Sequence, residues 1–454
     1  MAETLVPPGP KLLLGLRLLS ELQNTPIPLM TRLTATYGDI VYFKALGRKF
    51  YLFNDPECVQ QILVTRQHSF HKGSALDRVK ELVGEGLLTS EDELHLRQRR
   101  MIQPMFHRQR IAGYADTMVS LAEQVTGNWQ DGVTLDLYAE MTHLTLLIVS
   151  KTLFDTDIEN DSDEIGQVIP IVIASFMNNL DPLAEIRMRL PLSSTRRILN
   201  ARKRLNALIE SIIAARRAEG GRGDIISMLI AAEDEQDENR HMSNKQVRDE
   251  ALTLFLAGHE TTASALTWSL YLLSQNPEAA RLLQEELDRV LAGRNPTYTD
   301  LEQLPYTRMV LSEAIRLYPP AWAMTRLAME DVEIGGYTVP KNATLVISSW
   351  MVHHSERYYP EPFKFDPGRW SPEQVAASRP KMAYFPFGAG TRVCMGEPFA
   401  WMEGVLLLAT IAQKWEMRLD PGFLVEFLTG ITLKPKNGMR MTLTRRVPLD
   451  ENET

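Results

Sequence analysis

The stretch Phe387-Gly388-Ala389-Gly390-Thr391-Arg392-Val393-Cys394-Met395-Gly396 sets one of the chain's two cysteines in a glycine-rich turn just before an apolar run. Glycine tolerates positive φ and close backbone approach, so successive N–H groups in such a turn can point at the sulfur. The helix N-terminus expected next adds positive potential, and both effects favour the thiolate, a soft metal ligand. Cys58, in Asp55-Pro56-Glu57-Cys58, has no glycine loop and no second ligand nearby, and reads as structural. Two cysteines are too few for a disulfide framework or a four-cysteine zinc site, and such low usage suits a reducing cytoplasm.

Upstream, Lys245–Ser274 contains no proline and is too apolar around Leu252–Leu256 for the surface, which predicts one long helix through the centre of the molecule. Inside it, Ala257-Gly258-His259-Glu260-Thr261-Thr262 brings a glycine, an acid and paired threonines into a helix interior. Thr261 can bond back to the carbonyl of Ala257 and open the helix locally, leaving a groove for a diatomic ligand. Glu260 and Thr261 then supply an acid and an alcohol able to relay protons. Further along, Glu313 and Arg316 share one helix face, where they can pair and accept a third partner.

The rest bounds the class. With 44% hydrophobic and 23% charged residues the chain is an ordinary globular protein, and a net charge of −8 argues against a general nucleic-acid binder. Lys11 and Arg17 interrupt the N-terminal apolar run well short of a spanning helix, and no basic n-region precedes a clean apolar core, so a cytoplasmic location is expected. Short β-like runs (Ile40–Phe43, Phe50–Phe53) lie near the start. Helical periodicity dominates from Leu94 to about Leu317, broken by polar loops at Asp155–Glu164 and Gly220–Asn239. Strands and an irregular proline-rich stretch follow, then a last helix from Glu397 to about Gln413. The fold class is mainly α with a minor β part, in a single domain 1–454 whose residues 1–25 form an extended N-terminal segment.

The cysteine loop resembles the haem-binding loop of the cytochromes P450 at Phe387, Gly390, Arg392, Cys394 and Gly396. The 257–262 segment is similar to the family's Ala-Gly-x-(Asp/Glu)-Thr-Thr motif, and the motifs fall in the family's order. The resemblance, to soluble bacterial members, implies haem b (iron protoporphyrin IX) ligated by Cys394, with Phe387 packed on the ligand side. Arg392, His95, Arg99 and Arg326 would serve the haem propionates, Gly396 belongs to the cofactor-binding loop, and the small Ala257 and Gly258 let haem and oxygen approach the backbone. It makes Thr261 and Glu260 the catalytic proton-delivery pair and Glu313, Arg316 and Arg369 a structural triad. Arg369 stands in Gly-Arg-Trp where the family more often has Glu-Arg-Phe. Pocket walls are expected at Ser74–Leu88, Val168–Met177, Phe255, Ala257, Ala321–Met324 (Trp322, Ala323) and Leu428–Ile431.

The implied activity is monooxygenation: one atom of O2 enters a lipophilic small molecule such as a fatty acid, terpenoid or steroid. About sixty residues follow Cys394, too few for a fused reductase, so electrons are expected from a ferredoxin or flavodoxin type of donor with its NAD(P)H reductase. The outward arginines among 97–110, Arg97 included, are candidates for docking it. A peroxide-driven peroxygenase or isomerase of the same fold is the alternative, and a non-catalytic haem sensor or electron-transfer protein a more distant one.

Overall fold

The computed structural model describes residues 6–10, 15–45, 47–73, 76, 79–80, 83–155, 193–220, 223–234, 241–376 and 379–446. The expected pocket wall at 168–177 lies outside them. The chain forms two compact units, one of residues 1–73, 118–142 and 261–454 and the other of 74–117 and 143–260.

The first unit holds every sheet among the described residues. Strands β1 (Ile40–Ala45) and β2 (Arg48–Phe53) make an antiparallel hairpin; alternation buries Val41, Phe43 and Ala45 in β1, whereas Phe50–Phe53 of β2 are buried on both faces. With β3 (Phe70–Lys72), β5 (Met324–Ala328) and β8 (Thr344–Ile347) they build a five-stranded sheet ordered β1-β2-β8-β5-β3. The side carrying Tyr51, Phe53, Leu345 and Ile347 packs on Val59, Ile62, Leu63 and Phe385. The remaining strands form small sheets: β4 (Thr134–Asp136) with β12 (Arg440–Arg445) and β9 (Trp415–Leu419), β6 (Val332–Ile334) with β7 (Tyr337–Val339), and β10 (Phe427–Thr429) with β11 (Leu433–Pro435).

The N-terminal segment departs from the extended form expected over 1–25. Among its described residues, 6–10 carry no helix or strand, and the Pro8 carbonyl accepts from the Tyr42 N–H at 3.0 Å. Residues Gly15–Asn24 are helix α1, in which Arg17, a charge that interrupts the apolar run, lies on the wet face and pairs with Glu21 at i,i+4, while Leu18 is buried. Helix α2 (Pro26–Tyr37) follows. A short helix Pro56–Gln60 begins at an Asp55 side chain that accepts from the N–H groups of Glu57 and Cys58.

The helices that matter for the site are α3 (Asp92–Ile102), α4 (Asn244–Gln275), α5 (Pro305–Leu317) and α6 (Glu397–Ala412). Helix α4, 32 residues long, matches the single long helix expected over 245–274. The polar stretch 220–239 is not all loop. Ile225–Ala231 is helical, started by Asp224, whose carboxylate accepts from Ser227 N–H and pairs with Arg216 in the interior.

Candidate active site

The cysteine loop is built on two left-handed glycines, Gly388 (φ 75) and Gly390 (φ 72). Gly390 is obligatory for a second reason: a Cβ there would lie 2.0 Å from the Leu63 carbonyl oxygen. Gln67, between the segment carrying Leu63 and strand β3, fastens the turn from outside, its Oε1 accepting from Thr391 N–H at 2.7 Å and Thr391 Oγ1 at 2.9 Å. The Cys394 N–H returns to the Phe387 carbonyl at 2.9 Å, closing the loop beneath an exposed thiol. A Cβ on Gly396 would sit 3.8 Å from that sulfur, and the Phe387 ring lies 5.6 Å from Trp401 one helical turn into α6. Cys58 is the opposite case: buried, its thiol pushed up to about 12 by burial beside Asp55 and Glu57.

Along α4, His259 and Glu260 are buried and Thr261 is half-buried, while Ala257 is exposed. His259 sits over the Phe255 ring and joins its Nδ1 to the Phe255 carbonyl at 3.1 Å. Its own carbonyl accepts from Thr145 Oγ1, which is the environment of a core histidine. Thr262 turns elsewhere, donating to Glu403 Oε2 on α6 at 2.9 Å. Glu403 is fully buried, its Oε1 has no hydrogen-bond partner among the described residues, and burial pushes its carboxyl up to about 8. Sequence reasoning passed over it, although an acid inside the run Phe399–Ala412 was a signal.

Glu313, Arg316 and Arg369 do come together. Arg316 grips Glu313 bidentately, both bonds 2.8 Å, with neither side chain exposed. Its Nη1 also donates to the carbonyls of His353 and Pro362, and Nη2 to that of Lys364. Arg369 Nε lies 3.3 Å from Glu313 Oε1, an ion contact, while its Nη2 donates to the Glu361 carbonyl. Trp370, standing where the family more often has phenylalanine, donates Nε1 to Glu313 Oε2 at 2.9 Å. Arg379 stacks over both Trp370 and Tyr359, and His353 packs between Tyr384 and Phe385. None of these last three was singled out from the sequence.

His95 is buried on α3, with Arg99 half-buried one turn on. Arg97 does not face outward: it is 13% exposed, its Nε 3.5 Å from the buried Asp234. Arg100, Arg108 and Arg110 are exposed. Arg326 and Arg392 are half-buried in the first unit. There, Trp322 donates Nε1 to the Gly430 carbonyl at 2.9 Å, tying the 321–324 turn to the 428–431 turn, and Ser264 of α4 reaches the Leu433 carbonyl. Trp322, Ala323 and Ile431 are half-buried and Leu428 is exposed.

An exposed cysteine on a glycine turn, a long helix with Glu-Thr-Thr and a buried Glu-Arg pair are the features in which the sequence resembles the cytochromes P450. The cytochrome P450 family model matches residues 6–439, and the chain belongs to that family. It is 39% identical over 98% of its length to the cyclooctatin synthase of Streptomyces melanosporofaciens (95% of that chain). It is 36% identical to that organism's cyclooctat-9-en-7-ol 5-monooxygenase (91% and 90%), and 32% identical to the pentalenene oxygenase of Streptomyces avermitilis (94% and 95%). Among solved structures, the cytochrome P450DA heme domain superposes with a TM-score of 0.89, 26% identity, covering 98% and 99% of the two chains. The mainly helical P450 fold and P450 monooxygenase chemistry follow, and with them a haem, O2, a substrate and a redox partner. Among the described residues no helix is long and apolar enough to cross a membrane.

Proposed function

We propose that this chain inserts one oxygen atom into a cyclic terpenoid, using haem b ligated by Cys394 and electrons from a separate ferredoxin or flavodoxin with its NAD(P)H reductase, in the cytoplasm. The residues fit the cofactor: the thiol is exposed on a tightly held turn, and Arg326 and Arg392 of the same unit offer cations for its carboxylates. The haem supplies, when bound, the redox centre at which O2 is activated. The protein's part is to hold the sulfur, orient the substrate and deliver protons. His95 and Arg99 add cations to the propionates, Glu260 and Thr261 form the proton relay, and the Glu313–Arg316–Arg369 cluster fastens the chain that leads into the cysteine loop.

The terpenoid assignment is supported by the names of the three bacterial relatives and by wall residues Trp322, Ala323, Leu428 and Ile431, which select by shape and apolar contact. The observation that carries the reading is the exposed Cys394 thiol in its glycine turn. Cys394→Ser removes the soft ligand, so the carbon-monoxide spectrum of the reduced protein shifts and monooxygenation disappears. A wild-type spectrum with retained activity would refute the ligand assignment. Cyclic terpene hydrocarbons and alcohols are expected to shift the haem spectrum; a response only to charged, hydrophilic compounds would exclude them. Thr261→Ala keeps NAD(P)H consumption but diverts electrons to peroxide, and a fully coupled variant would remove Thr261 from the relay.

A further inference from the structure

We propose that Glu403 is a positioning residue for oxygen activation: a buried acid on α6 that pins Thr262 and thereby fixes the rotation of α4 at the step that presents Thr261. The inference rests on Thr261 acting in the relay.

The geometry comes first. Thr262 Oγ1 donates to Glu403 Oε2 at 2.9 Å, and both residues are buried. Adjacent residues on a helix point about 100° apart, so a fixed direction for Thr262 fixes the direction of Thr261. The carboxyl is enclosed closely: Leu311 of α5 lies against neighbouring Gly404, at 2.5 Å from where a Cβ would be, closing the helix packing at this level. A carboxylate in that place would hold charge with one hydroxyl donor and no cation among the described residues, an expensive state. Among the described residues no charged group pairs with Glu403: not Glu260 on α4, Arg308, Glu313 or Arg316 on α5, Glu286 or Asp288 on Pro277–Leu291, Asp300 or Glu302 on Tyr298–Gln303, nor Glu416 or Arg418 on β9; burial raises its carboxyl and the Thr262 bond lowers it. The acid therefore keeps its proton near neutral pH, carried on the oxygen that Thr262 does not bond. Raising the pH past about 8 removes that proton. The buried charge is then relieved by drawing in water or opening the α4–α6 contact, and Thr261 loses its fixed direction.

The test compares holoenzyme variants E403Q, E403L and T262V by infrared spectroscopy and by product and peroxide formed per NAD(P)H. Wild type is expected to show the carbonyl stretch of a protonated carboxylic acid near neutral pH, absent in E403Q and E403L and shifted in T262V by loss of the hydrogen bond. Coupling falls severalfold in E403L and T262V, with peroxide rising, and is rescued by the conservative E403Q. In wild type coupling declines as pH passes about 8; in E403Q that decline is gone. A wild-type spectrum without the band, an equal alkaline decline in E403Q, or a T262V enzyme as coupled as wild type would each overturn the proposal. If Thr261→Ala uncouples while T262V does not, this inference alone fails. If Thr261→Ala stays coupled, the relay reading fails and carries this one with it, whatever the infrared band shows.

Discussion

Two glutamates in the first unit are equally inaccessible and differ in everything else. Glu313 accepts two bonds from Arg316, one from Trp370 and one from the Asp366 N–H, with Arg369 against it. Glu403 accepts one, from Thr262. Burial alone therefore does not say what an acid does. With guanidinium partners and a full set of donors it becomes a rigid ionic knot, and without them the cheaper state is the neutral acid. The first arrangement fixes chain segments to one another. The second leaves a carboxyl that burial pushes up, bonded to the second of the paired threonines.

The comparison breaks most visibly at Arg316. Arg316→Ala strands the Glu313 charge and leaves the carbonyls of His353, Pro362 and Lys364 without their donor. Removing one partner of a buried pair costs about 3 to 5 kcal/mol, so little folded holoprotein should accumulate, read by the haem-to-protein absorbance ratio and by denaturant unfolding. Arg316→Lys restores charge without the planar fork and should recover little. A stable, haem-loaded Arg316→Ala protein would show that the knot is dispensable.

How much of this was legible in the sequence depends on how local each feature is. The cysteine loop, the Glu-Thr-Thr helix and the Glu-x-x-Arg pair are short-range patterns, and the long helix announces itself through proline-free apolar sequence. The partners that complete them are distant along the chain. Gln67 meets Thr391 across 324 positions and Glu403 meets Thr262 across 141, so no local pattern ties them together. Helix α1 was misjudged because interruption of an apolar run counts against a membrane span and equally describes an amphipathic helix. Arg97 was misjudged because its partner, Asp234, comes from a separate polar segment.

The pH dependence of stability sharpens the contrast. Burial lowers His353 well below the ordinary histidine value and His354 to about 3. Both are neutral in the folded chain and take up protons on unfolding, so their contribution is present above about 6.5 and is lost as pH falls below it. Each gives a slope of up to about 1.4 kcal/mol per pH unit. Glu403, raised to about 8, acts with the opposite sign, its stabilisation being lost as pH rises from about 4.5 to 8. Stability measured against pH should fall less steeply below about 6.5 in His353→Gln, where His354 still contributes, and should lose the neutral-to-alkaline decline in Glu403→Gln, each variant leaving the other limb unchanged. Identical profiles in both variants would contradict the assignment.

The smallest effect separates the donors of Glu313 from the packing around them. Trp370→Phe removes one N–H from the Glu313 carboxylate but keeps a ring against Tyr384, 4.3 Å away in the native chain, and under the Arg379 guanidinium. A hydrogen bond to a charged group is worth about 1.5 to 3 kcal/mol, and Arg316 still covers the same oxygen, so the loss should fall at the low end. Trp370→Leu removes the ring as well and should cost more, by roughly 0.5 to 1 kcal/mol for the exposed-side cation–π contact alone. If Trp370→Phe is indistinguishable from wild type in denaturant unfolding while Trp370→Leu is not, the tryptophan serves as a lid for Arg379, and Glu313 is saturated by its arginines. If both lose stability equally, the indole N–H is what Glu313 requires, and tryptophan at this position is a donor that phenylalanine cannot replace.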